Sequence, residues 1–169
     1  MSRATQDNDS RMTIWLVDDD PRTQESLTEF CRTQDLDLCI FAHGVGLQEA
    51  MEEPGPSPDL ILLDDDVHGS SAWQVTQMLR RGFPGRMFIY CICCETNANF
   101  REVARRIGVD GWLERPVPTE VLQSLCDGIR DGSLKGHSMR QRIDFQVKMG
   151  RLSISYHRGV LTLAGNLHQ

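Results

Sequence analysis

At 169 residues the chain has room for one ordinary domain with an appendage, and not for two full-sized domains. Its 40% apolar and 25% charged residues sit at globular averages and exclude a disordered or fibrous chain, and no apolar run approaches the roughly 18–20 residues of a bilayer span. The net charge of −6 divides unevenly: residues 133–169 carry six basic residues against Asp144, a net +5, which leaves −11 on residues 1–132 and makes docking of tail on body an expectation beside any external acidic partner.

The opening MSRATQDNDSR is too polar for a signal-peptide core, so residues 1–11 read as a flexible start and the protein as cytoplasmic. An apolar run at 13–17, TIWLV, predicts a strand that ends in the triplet Asp18-Asp19-Asp20. Asp20 as N-cap and Pro21 at the first helical position predict a helix over 21–33 that buries Leu27, Phe30 and Cys31. LDLCIF at 36–41 is the second strand, and a helix at 46–53 follows, stopped by EPGPSP. LILL at 60–63 is the third strand, ending in a second acidic triplet, Asp64-Asp65-Asp66. A helix at 71–81 runs to GFPG, and MFIYCIC at 87–93 is the fourth strand. Phe100, Val103, Ala104 and Ile107 form the stripe of a helix at 98–107 before Gly108. The core of GWLE, 112–113, is the fifth strand, and Val121, Leu122, Leu125 and Cys126 face inward from a last helix after Pro118.

Five strand–helix units with near-continuous apolar strands predict an α/β fold over residues 12–132: a doubly wound, five-stranded parallel sheet covered on both faces. Ligands of such sheets bind beyond the carboxyl ends of the strands, where both acidic triplets fall. Residues 133–169 form a basic linker and extension, in which DGSLKGHS is the linker, MRQRIDFQVKMG an element of undefined type and RLSISYHRGVLTLAG a β-hairpin turning at His157-Arg158-Gly159. The basic stretch has neither zinc-finger spacing nor a helix pair for a helix-turn-helix, which argues against a nucleic-acid partner. A hairpin alone is marginal, so this one is expected to pack on the body or to join two copies as a homodimer. Of the six cysteines most lie in apolar runs, as buried reduced thiols do, and the CxxC spacing at Cys91–Cys94 puts Cys91 and Cys93 on one strand face and Cys94 on the other.

Carboxylates gathered at one sheet edge repel each other unless some are protonated or a cation holds them. Oxygen donors without neighbouring histidine or cysteine ligands favour Mg²⁺, and a metal with open positions can bring a phosphoryl donor to a nucleophilic carboxylate. Strand alternation selects Asp64 as that nucleophile: it continues Leu62-Leu63, whereas Asp65 is expected to point away and Asp66 belongs to the turn.

IWLVDDDP, PDLILLDDDVHG and GVDGWLERP, with the spacing between them, resemble the receiver domains of two-component response regulators over residues 12–130. The resemblance implies the flavodoxin-like receiver fold and a non-enzymatic bacterial phosphorelay protein, partnered by a sensor histidine kinase or a phosphotransfer protein. It makes Asp64 the phosphoacceptor, with Asp18, Asp19, Asp64 and the Asp66 carbonyl as ligands of Mg²⁺. It also marks departures. The hydroxyl residue ending the fourth strand is Cys93, a weak hydrogen-bond donor. The lysine before the proline is Arg115, which keeps the charge in a planar fork. The proline after the acceptor is His68, the aromatic switch position is Trp112, and Asp66 and Glu95 stand at the positions that tune hydrolysis of the acyl phosphate. These departures support a second expectation, a degenerate receiver that acts as an interaction or dimerisation module without phosphotransfer. A haloacid-dehalogenase-like phosphatase expects a hydroxyl residue after its DxD and a separate lysine, neither of which is found. The segment GRLSISYHRGVLTLAG is similar to the central hairpin of BON domains, a partial BON-like element.

Overall fold

The computed structural model describes residues 11–55, 57–66, 71–83, 87–94 and 98–134, together with the backbone of 145–149, 152–157 and 160–165. Along the chain run β1 (Thr13–Val17), α1 (Pro21–Thr33), β2 (Asp37–Phe41), α2 (Gly44–Glu52), β3 (Leu60–Asp64), α3 (Ala72–Gly82), β4 (Phe88–Cys93), α4 (Ala98–Ile107), β5 (Gly111–Glu114) and α5 (Thr119–Arg130). The first five strands form one parallel sheet in the order β2-β1-β3-β4-β5. The order reverses between β1 and β3, which puts the crevice of this doubly wound fold beside their carboxyl ends.

Alternation along the strands sorts the core into two layers. Ile14, Leu16, Leu60, Leu62, Ile92 and Leu113 pack under Leu27, Phe30 and Cys31 of α1 and Leu122, Leu125 and Cys126 of α5. Trp15, Val17, Ile61, Leu63, Ile89 and Cys91 pack under Leu47 of α2, Val75 and Leu79 of α3 and Ala104 of α4. β1 and β3 are buried at every position, as expected of central strands covered twice, whereas the edge strand β2 is largely exposed.

Local signals account for the helix ends. The Asp20 carboxylate caps α1 by accepting the Arg22 N–H, with Pro21 in the first turn. Ser71 caps α3 in a reciprocal capping box with Gln74. Gly108, at φ 105°, ends α4 in a conformation that a side chain would strain. α2 starts at Gly44, two residues before its expected start. One expected core residue is corrected: Val121 is exposed, because Leu122, Leu125 and Cys126 already define the inward stripe of α5 and Val121 lies one residue off it. Four cysteines, 31, 91, 93 and 126, are buried and two, 39 and 94, exposed, all of them free thiols.

At the amino-terminal edge of the sheet, α3 sends Arg80 into the interior. Its Nε donates to the Gly108 carbonyl at 2.9 Å, its Nη1 to the Met87 carbonyl at 2.8 Å and its Nη2 to the Asp110 carboxylate at 2.5 Å. The same Asp110 oxygen accepts the Ile89 N–H at 2.7 Å.

The carboxyl-terminal segment forms a second sheet. The expected hairpin is present as β7 (Leu152–His157) and β8 (Val160–Gly165), with His157 opposite Val160 on either side of the expected turn. The element left undefined by its sequence is a third antiparallel strand, β6 (Phe145–Met149), which pairs with β7 and lies beside α4.

Candidate functional site

The parity that sorts the core also assembles the site. Asp18 follows β1, Asp64 ends β3 and Arg115 follows β5, each two residues beyond a core residue of the α1–α5 layer: Leu16, Leu62 and Leu113. The sheet order sets β1 and β3 side by side with β5 two strands away, a span that a long arginine side chain crosses.

Asp18 is fully buried. Its N–H donates to the Phe41 carbonyl at 3.0 Å, its Oδ1 accepts the Asp20 N–H at 2.8 Å, and its carbonyl accepts Gln24 Nε2 at 2.8 Å. These bonds leave Oδ2 for Arg115, whose Nη2 donates to it at 2.8 Å and to Asp64 Oδ1 at 2.7 Å. Arg115 Nη1 donates to Thr23 Oγ1, and Thr23 in turn donates to Asp20 Oδ2 at 3.1 Å. Burial opposes the charge of Arg115, but hydrogen bonds from both carboxylates and their charges outweigh it and hold the guanidinium above its ordinary range. Among the described residues, Asp18, Asp19 and Asp64 form a group whose oxygens lie within 4.8 Å of one another. A cavity of about 320 Å³ opens beside Arg115, walled by Thr23, Ser26 and Leu27 of α1 and by Pro116, Val117 and Leu122.

Asp65 corrects the sequence reading. Alternation predicts that it points away, but the strand ends at Asp64, and in the turn that follows the Asp65 side chain hydrogen-bonds to Asp64. Burial, that bond and the Asp64 charge push its carboxyl up to about 6. Asp66 is exposed in the same turn. His68 and Glu95 lie outside the described residues.

The two remaining candidates stand on the opposite layer. Cys93 is buried, and its thiol is directed to the Leu113 carbonyl at 3.6 Å. Burial, then the charge of Asp65, raises that thiol to about 11. Trp112 is half-buried, edge-on to Phe100 with centroids 6.4 Å apart, and the Arg105 guanidinium lies 5.5 Å from its ring. Phe100 continues to Trp73 of α3 at 5.2 Å. This row of rings joins α3, α4 and β5 and was not foreseen, although Phe100 was placed on the inward stripe. Aromatic contact between separate elements has no local sequence signal.

No protein-family model matches the chain. A curated relative, the TorCAD operon transcriptional regulatory protein TorR of Escherichia coli (strain K12), is 28% identical over 104 residues, 62% of this chain and 44% of TorR, so the chain spans less than half the length of the relative it matches. Among solved structures, the receiver domain of TorR superposes with a TM-score of 0.61 at 25% identity, covering 73% of this chain and 99% of that one. The receiver domain of Saccharomyces cerevisiae Ssk1, solved with the histidine phosphotransfer protein Ypd1, gives 0.65 at 15% identity over 74% of this chain and 92% of that one. The receiver domain of the sensor histidine kinase PA1611 of Pseudomonas aeruginosa PAO1, solved with a magnesium ion in its active-site cleft, gives 0.59 at 22% identity over 69% of this chain and 94% of that one.

Proposed function

We propose that this chain, whose body has the fold of response-regulator receiver domains, works in a phosphorelay by accepting a phosphoryl group on Asp64. The observation that carries the reading is Asp64 at the end of β3, held opposite Asp18 by one arginine that bonds to both. An Asp64 carboxylate oxygen attacks the phosphorus of a phosphohistidine, the O–P bond forms as the P–N bond breaks, and the electron pair returns to the imidazole nitrogen. Arg115 orients the nucleophile and supplies positive charge beside the incoming phosphoryl oxygens. The donor is a sensor histidine kinase or a histidine phosphotransfer protein, the kinds of protein that accompany or carry two of the similar receivers. The signal leaves by protein contact, in the cytoplasm, without catalysis of a metabolic reaction.

Mg²⁺ fits the donor set: Asp18, Asp19 and Asp64 offer three hard oxygens within 4.8 Å, without a histidine or cysteine among them. When bound, the ion neutralises these carboxylates and the charge of an incoming phosphoryl group. The Asp66 carbonyl is a further ligand on the receiver resemblance.

The test is intact-mass spectrometry of the full chain and of Asp64→Asn after incubation with acetyl phosphate and Mg²⁺, and separately with a histidine-phosphorylated transfer protein. One phosphoryl adduct on the parent and none on the variant is the expected result. An adduct on both proteins would remove Asp64 from its role. No adduct from either donor favours the second reading, a receiver that signals without phosphotransfer. One observation supports that alternative: the Cys93 thiol, where receivers have a hydroxyl, is committed to the Leu113 carbonyl rather than to the site.

A further inference from the structure

Packing alone does not hold Arg115 on the acids. A cavity of about 320 Å³ adjoins it on the side of α1, bounded by Thr23, Ser26 and Leu27, and leaves the side chain room to move. Hydrogen bonds hold it instead. Nη2 is shared between Asp18 Oδ2 at 2.8 Å and Asp64 Oδ1 at 2.7 Å, and Nη1 donates to Thr23 Oγ1.

The direction of bonding at Thr23 follows from the groups around it. A carboxylate only accepts and a guanidinium only donates, whereas a hydroxyl does both. Thr23 therefore gives its proton to Asp20 Oδ2, at 3.1 Å, and a lone pair to Arg115. Asp20 is itself fixed as the N-cap of α1, its other oxygen accepting the Arg22 N–H at 3.1 Å. The first turn of α1 thus presents an acceptor to one nitrogen of the guanidinium, while the ends of β1 and β3 present two acceptors to the other. An arginine meets both at once with the two nitrogens of its planar fork, where a lysine carries all of its donors on one.

We infer that Thr23 is a positioning residue of this site: it holds Arg115 across Asp18 and Asp64, and so sets how readily a divalent cation takes the arginine's place. Arg115 occupies oxygens of two of the three carboxylates that such a cation would bind, so the two compete. Every bond that ties the arginine down adds to the cost of displacing it. The bond to Thr23 is the one of the three whose acceptor lies outside the acidic cluster, so it can be removed without touching the cation's ligands. This role rests on the cation site proposed above and not on phosphotransfer to Asp64.

Calorimetric titration of the full chain with Mg²⁺, in the absence of a phosphoryl donor, tests it. Thr23→Val keeps the shape but removes the acceptor, and is expected to lower the Mg²⁺ dissociation constant about threefold, the effect of losing one hydrogen bond to the arginine. Thr23→Ser keeps the hydroxyl and is expected to stay within about 1.5-fold of the parent. On an Arg115→Met background Thr23→Val is expected to change nothing, since its effect passes through the arginine. Far-ultraviolet circular dichroism checks that each variant keeps its helices. Unchanged or weaker binding by Thr23→Val overturns the inference while the cation site stands, as does a serine variant that behaves like the valine. An equal gain on both backgrounds also overturns it, because the threonine then acts through α1 rather than through Arg115. A parent that binds no Mg²⁺ at millimolar concentration overturns the cation site and this role together, and leaves phosphotransfer to Asp64 to its own assay.

Discussion

Two arginine–aspartate arrangements stand at opposite edges of one sheet, built from the same side chains and closed to different degrees. At the amino-terminal edge Arg80 and Asp110 are 2% and 1% exposed, and the arginine ends on two carbonyls and one carboxylate. At the carboxyl edge Arg115 is 19% and Asp64 11% exposed. There one guanidinium bonds to two carboxylates, with a third, Asp19, in the same cluster. The first arrangement is matched charge for charge and locks α3 to the loop before β5. The second carries an excess of negative charge next to solvent, which a visiting cation or phosphoryl group can balance. Burial with matched partners suits a structural pair, and partial exposure with surplus ligands suits the role proposed for the second.

Substitution of each arginine is the strongest way to break this contrast. Arg80→Met is expected to cost about 3–5 kcal/mol in urea denaturation, because it strands the buried Asp110 carboxylate. Arg115→Met is expected to cost less, about 1–3 kcal/mol, since of the two acids it leaves Asp64 is partly exposed and the buried Asp18 keeps the Asp20 N–H as a donor. Equal costs would show that the two edges are closed alike. Next in size is an effect on metal binding. Arg115 bonds to two of the three carboxylates that a cation would use, so Arg115→Met is expected to tighten Mg²⁺ binding by on the order of tenfold in calorimetry. Weaker binding would make the arginine a support for the metal rather than its competitor.

The smallest effect is one of pH. The Asp65 carboxyl is held up to about 6 by burial first and by Asp64 next, against an ordinary 3.8. Folded protein therefore keeps this proton to higher pH than unfolded protein does. The stability it contributes is full below about pH 4 and is lost as pH rises through about 6. Asp65→Asn is expected to flatten that slope in thermal melts across this range without Mg²⁺, and an unchanged slope would assign it to other groups.

Much of the fold was legible because its signals are local. Asp20 and Pro21 announce α1, the stripe from Phe100 to Ile107 announces α4, and the buried strands read as unbroken apolar runs. The strand–helix pattern also put both acidic triplets at the carboxyl ends of the strands, and alternation singled out Asp64 within the second, since both are properties of the backbone. What escaped depends on contacts across the chain or on the end of regularity. Arg80 carries no local signal of burial, because its partner Asp110 stands 30 residues away. Asp65 lies one residue past the strand, where alternation no longer governs direction. β6 lacked a clear pattern of its own and was recognised only when β7 supplied its register.

The ring row from Trp73 through Phe100 to Trp112 puts two of the three tryptophans at its ends, while Trp15 lies apart against Phe41. Indole emission responds to nearby rings and cations, and α4 supplies both Phe100 and Arg105. Any displacement of α4 therefore alters the ring contacts of Trp73 and Trp112, whereas the ring contact of Trp15 is with Phe41 of β2. The protein carries a built-in optical gauge of that helix and needs no attached dye.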